Sequence, residues 1–100
     1  MKRVRISRRA EQDLDDVWYY IVKQSGNQEI ADRLVESIAG TFPLFAHTPA
    51  AGTKRDEIEF GVRVFPVGNY LIYYAVTELH VVISRVLRGM RDQKAAYRVE

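Results

Sequence analysis

Three β-rich runs crowd the last third of this chain, and they constrain its fold more than any other feature. They are Val62-Arg63-Val64-Phe65-Pro66-Val67, then Tyr70-Leu71-Ile72-Tyr73-Tyr74-Ala75-Val76, then Val81-Val82-Ile83-Ser84-Arg85-Val86-Leu87-Arg88. Only Gly68-Asn69 and a polar break at Thr77-Glu78 separate them. β-branched and aromatic runs with such short connections form an antiparallel meander, and Gly-Asn suits a tight hairpin turn. In the middle run Tyr70, Ile72, Tyr74 and Val76 share one face and Leu71, Tyr73 and Ala75 the other. Both faces are apolar, so the sheet needs cover on both sides.

The rest of the chain supplies helices for one side. Val4 and Ile6 alternate with Arg3, Arg5 and Ser7, which predicts a short first strand. Ser7 is placed to cap a helix over 8–24 with the apolar stripe Ala10, Leu14, Val17, Trp18 and Ile21, and its spacing puts Trp18 in the core. Gly26 can end that helix, and Asn27 can cap a second one with the stripe Ala31, Leu34, Val35, Ile38 and Phe42. Pro43 should kink or stop this second helix near Phe42, with an extra turn running on to Phe45. Residues 47–56 read as loop. Ile58 and Phe60 are expected to restart the sheet, with Gly61 as a bulge or break. From about residue 89 the chain reads as a loose basic tail. The expected order is β-α-α-β-β-β: one α+β domain over residues 1–100, a helical hairpin on one face of a small, mainly antiparallel sheet.

One hundred residues suffice for one core. No cysteine is present, which excludes disulfides and thiolate metal sites and fits a reducing cytoplasm. Met1-Lys2-Arg3-Val4-Arg5 carries charge without the apolar run of a signal peptide, and no stretch is long enough to span a membrane. The net charge is only +2, but its distribution is uneven. Lys2, Arg3, Arg5, Arg8 and Arg9 stand at one end without an acid, and Arg85, Arg88, Arg91 and Lys94 at the other with Asp92 alone. Basic ends suit an acidic protein surface or a nucleic acid, or serve solubility alone.

Catalytic signatures are sparse. His47 and His80 stand apart from any second ligand, so no metal site is expected, and no cofactor motif such as a glycine-rich phosphate loop occurs. Arg85, among Val and Leu, is expected to direct its guanidinium to the sheet rim. Arg88, Arg91 and Lys94 can grip phosphate or carboxylate, or form a solvated tail.

At these residues the sequence resembles the ParE branch of the RelE/ParE toxin superfamily. Ile6-Ser7, Ala10-Glu11-Gln12-Asp13-Leu14 and Val17-Trp18-Tyr19-Tyr20-Ile21 look like the family's opening strand and helix. Pro49-Ala50-Ala51-Gly52 looks like its inter-element loop, and Val62–Val67 with Tyr70–Tyr74 like its hairpin. Arg85-Val86-Leu87-Arg88-Gly89-Met90-Arg91-Asp92 looks like its closing signature, in which a His commonly stands where Arg88 is. The resemblance implies a cytoplasmic toxin of the kind tied to plasmid stabilisation. It implies neutralisation by a ParD-like ribbon-helix-helix antitoxin, through which it reaches operator DNA, and DNA gyrase as the target. Ribosome-dependent mRNA cleavage, the activity of the RelE branch, is the alternative.

The site must separate the two, because the branches share a fold. The nuclease branch carries an Arg directly before the Leu-Ile/Val-Tyr of its middle strand, where this chain has Tyr70. Arg91 and Tyr97 match the spacing of an Arg and Tyr pair in some RelE nucleases, and Arg63 lies near a basic position of theirs. The favoured expectation is therefore a non-catalytic toxin with Arg63, Arg88 and Arg91 as target-binding cations. The alternative is a nuclease using Arg63, Arg91 and Tyr97. Tyr19, Phe65 and Tyr74 are the expected aromatic anchors for the antitoxin, with Arg88 and Arg91 at the rim.

Overall fold

A computed structural model describes residues 1–89 and 93–98. The element order is β1 (Arg3–Ile6), α1 (Arg8–Ser25), α2 (Gln28–Ala39), α3 (Phe42–His47), a 3-10 turn (Pro49–Ala51), β2 (Thr53–Lys54), β3 (Val62–Val67), β4 (Tyr70–Val76), β5 (His80–Arg88) and α4 (Gln93–Arg98). The strands form one mixed sheet in the order β1-β5-β4-β3-β2. β3, β4 and β5 make the antiparallel meander, and β1 runs parallel to β5 along the edge. The α+β reading holds.

Local chemistry sets the helix ends. Ser7 Oγ accepts from the Ala10 N–H at 3.0 Å, and Asn27 Oδ1 accepts from Glu29 and Ile30 at 2.9 and 3.3 Å. Both occupy free donors of a first turn. Gly26 ends α1 at φ +66°, a conformation open to glycine without strain. Gly68 takes φ +57° in the two-residue β3–β4 turn, as the hairpin reading requires.

Three local expectations are corrected. α2 stops at Ala39, and Pro43 lies in the first turn of a separate helix, α3. A helix start tolerates proline, because first-turn N–H groups have no partner within the helix. Ile58 and Phe60 do not rejoin the sheet: residues 56–61 make turns before β3, with Ile58 buried and Phe60 89% exposed. Trp18 is only half-buried. Its indole N–H donates to Asp32 at 2.7 Å, tying α1 to α2 rather than filling the core.

The main core lies between helices and sheet. Ala10 and Val17 of α1, Ile38 of α2, and Phe42 and Phe45 of α3 meet Tyr70, Ile72, Tyr74, Val81, Ile83 and Val86. A smaller cluster on the other face joins Ile58, Val62, Val64 and Tyr73, with Leu71, Leu87 and Tyr97 against it. The second face is therefore part-covered by the chain itself. The residues expected to form a loose tail include α4, and its Tyr97 ring packs on Tyr73 at 5.0 Å.

Candidate interaction surfaces

A buried ion pair organises the middle of the molecule. Arg85 Nε and Nη2 donate to the two oxygens of Asp13 at 2.8 and 3.0 Å, and Arg85 is only 7% exposed. Burial corrects the expectation of a guanidinium at the sheet rim. A β-bulge sets its face: Tyr73 faces Arg85 and Tyr74 faces Ile83, so Ser84 has no opposite residue and Arg85 shares the face of Tyr73. The bulge frees the Val86 N–H, which donates to Asp13 Oδ2 at 2.9 Å. Arg85 Nη1 donates to the Tyr97 carbonyl at 2.7 Å, so one side chain links α1, β5 and α4.

Tyr74, expected as an antitoxin anchor, is completely buried. Its ring stacks on Phe45 at 4.1 Å, its hydroxyl donates to the Pro49 carbonyl at 2.8 Å, and it accepts from the Gly52 N–H at 2.7 Å. A Cβ at Gly52 would lie 2.8 Å from the Tyr74 ring, so only glycine permits this approach. Burial pushes the Tyr74 hydroxyl pKa up, opposed by the Gly52 N–H. Tyr74 holds the 49–52 segment against the sheet and has no surface to offer a partner.

The other expected residues fall into separate places. Tyr19 is 56% exposed on α1, with the Lys23 ammonium 5.3 Å from its ring centre. Phe65 is half-buried on the helical face, edge-on to Phe45 at 5.4 Å. Arg63 is opposite Tyr74 in the register and donates to the Gly52 carbonyl at 2.8 Å. Tyr97 is on the other face, its hydroxyl 3.0 Å from Ser84 Oγ and 3.3 Å from Glu59 Oε1. Burial raises its pKa, while the Ser84 hydrogen bond works against the shift. The sheet thus divides Arg63 from Tyr97, and Arg91 lies outside the described residues.

Arg88 is exposed at the end of β5, opposite Tyr70 in the register. It donates to the Tyr20 hydroxyl at 2.9 Å and lies 5.3 Å from the Tyr20 ring centre. Tyr70 itself is buried, and desolvation raises its pKa. Asp13 and Tyr20 are not legible in sequence as the partners of Arg85 and Arg88, since most of the fold separates each pair and no local spacing links them. Among the described residues no group of His, Cys, Asp or Glu could hold a metal ion. No described helix is long and apolar enough to cross a membrane.

Helices α1–α3 on one face of a mixed five-stranded sheet, with β1 parallel to β5, make an architecture shared with solved chains of toxin–antitoxin systems. A chain of the chromosomal ParDE TA system from P. aeruginosa shares it, with a TM-score of 0.79 and 23% identity, over 90% of this chain and 98% of that one. A chain of the RelBE2 toxin–antitoxin complex from Mycobacterium tuberculosis matches with a TM-score of 0.58 and 22% identity, over 87% and 96% of the respective chains. The protein belongs to the family described as ParE toxin of type II toxin-antitoxin system, parDE, whose model matches residues 4–93. Toxin ParE1 of Caulobacter vibrioides is 34% identical over 95 residues, covering 95% of this chain and 97% of its own.

Proposed function

We propose that this ParE-family toxin acts by binding DNA gyrase, without turnover of its own, and is neutralised by a ribbon-helix-helix antitoxin encoded beside it. The observation carrying this reading is the dispersal of the alternative nuclease set. Tyr70, buried, stands where the nuclease branch has an arginine, and Arg63 and Tyr97 lie on opposite faces of the sheet. Both polar groups already serve the fold, Arg63 on the Gly52 carbonyl and Tyr97 on Ser84. Phosphoryl transfer needs a cation and a proton-transfer group converging on one phosphate.

In this reading Arg63, Arg88 and Arg91 contribute to target binding, and antitoxin covers the outer flank of the helices. Tyr19 and Phe65 remain its aromatic anchors, with Arg88 and Arg91 at the rim; Tyr74 is withdrawn because it is buried. Purified toxin should inhibit gyrase supercoiling and leave mRNA intact on programmed ribosomes. Cleavage within translated codons with gyrase unaffected overturns the reading. Calorimetric titration of antitoxin into the Tyr19→Ala variant should show binding weakened by about 2 kcal/mol.

A further inference from the structure

The second face of the sheet is not covered along its whole width. Val4 packs into the main core, so strand alternation directs Arg3 and Arg5 to the opposite face. The parallel register sets Arg3 beside His80 and Arg5 beside Val82, and Val82 faces Ala75. None of these five residues belongs to the Ile58–Tyr73 cluster beneath α4. Arg3 and Arg5 are exposed, and neither guanidinium has a hydrogen bond or ion pair among the described residues. No acidic residue occurs anywhere in β1, β4 or β5.

We propose that this open half-face, Arg3 and Arg5 with His80 beside them, is a docking surface for the phosphodiester backbone of duplex DNA. Residues two apart on a strand lie about 7 Å from each other, so the two guanidiniums form a row along β1. That step is comparable to the one between successive phosphates of a strand, and each guanidinium can engage phosphate oxygens bidentately. Beside Arg5 lie Val82 and, beyond it, Ala75, both small enough to let a backbone approach. Among the described residues no exposed aromatic ring stands on β1, β4 or β5 for bases to stack on, since Tyr19 and Tyr20 are on α1 and Phe60 is in the turn before β3; this favours backbone contact without sequence preference. A carboxylate-rich protein segment would also meet the charge, but flexible Asp and Glu stems need no regular row of cations. The surface lies on the face opposite the helical hairpin, so a partner bound to the helices leaves it accessible. It is available whichever target the toxin has.

The experiment is fluorescence anisotropy of the full-length protein with a short labelled DNA duplex and, in parallel, a labelled single-stranded RNA. Binding should weaken with salt. Arg3→Ala/Arg5→Ala should reduce the slope of log affinity against log salt by about 2, one for each phosphate no longer engaged. Arg3→Lys/Arg5→Lys should retain most of the slope, and thermal melting establishes that each variant is folded. Tighter binding of the duplex supports the proposal, and binding of the single-stranded RNA without the duplex overturns it. Absence of salt-dependent binding to either probe overturns the proposal. An equal loss in Arg33→Ala, a charge on the outer helix α2, overturns it by showing diffuse attraction. Binding to polyglutamate but to neither nucleic acid overturns it too, and assigns the surface to acidic protein instead.

Discussion

The two faces of the sheet are built from alternate residues of the same strands, yet they are finished differently. Tyr74 looks toward three helices and is locked by a stacked ring and two hydrogen bonds. Its neighbour Tyr73 looks the other way, toward one buried turn residue, Ile58, and the short helix α4. The first face is sealed by elements that also pack on each other. The second is covered over β3 and β4, and along β1 it is left to arginines. Equal apolarity in sequence therefore does not mean equal burial: the number of elements available to each face decides.

The largest expected effect is at the buried ion pair that joins α1 of the first face to β5 and α4. Asp13→Ala leaves a buried guanidinium without its carboxylate and the Val86 N–H without its acceptor. It should cost about 3–5 kcal/mol in urea unfolding. A loss no greater than that of a surface substitution breaks the comparison, since the ion pair would then not be buried in solution. Next is Tyr74→Phe, which keeps the ring stack but strands the Pro49 carbonyl and Gly52 N–H; about 1–3 kcal/mol is expected. On the second face Tyr97→Phe removes a half-exposed hydroxyl near Ser84, and about 0.5–1.5 kcal/mol is expected. If Tyr97→Phe proves costlier than Tyr74→Phe, the second face is the better sealed of the two and the comparison reverses.

Alkaline unfolding gives the smallest effect at neutral pH. Burial raises the pKa values of Tyr70, Tyr73, Tyr74 and Tyr97 above the ordinary tyrosine value. A raised value means that the folded state holds the proton more tightly. This contribution is complete below about pH 10, where the unfolded chain titrates, and is lost as pH rises through the folded values. Melting temperature should hold steady through neutral pH and fall above about pH 10. Tyr74→Phe and Tyr97→Phe should each flatten that fall.

What the sequence discloses is whatever local chemistry decides. Ser7, Gly26 and Asn27 mark helix ends because their side chains or backbone freedom act within one turn. Gly68-Asn69 marks the hairpin for the same reason, and alternation in β4 correctly divides Tyr73 from Tyr74. Pro43 is ambiguous, since proline both ends one helix and suits the start of another. The Asp13–Arg85 pair is invisible: its partners are 72 residues apart, and the bulge at Ser84 moves Arg85 from the face of Ile83 to that of Tyr73. The cover of the second face escapes notice because Ile58 lies in a turn and α4 has only 6 residues, too few for a periodic signal. Tyr74 suggests a surface residue because an aromatic on a two-sided apolar strand reads alike whether a helix or a partner covers it.

The surplus residue in β5 has a further consequence for anyone recombining these toxins. Ser84 shifts the ladder by one, and the carboxylate that repairs the shift sits on the first helix. α1 and β5 therefore travel as one cassette, although most of the chain lies between them. A chimera taking β5 from this protein and α1 from a relative without an acid at the matching position would bury an orphaned cation, whatever the quality of its other contacts. Grafting the two segments together should transfer the joint intact.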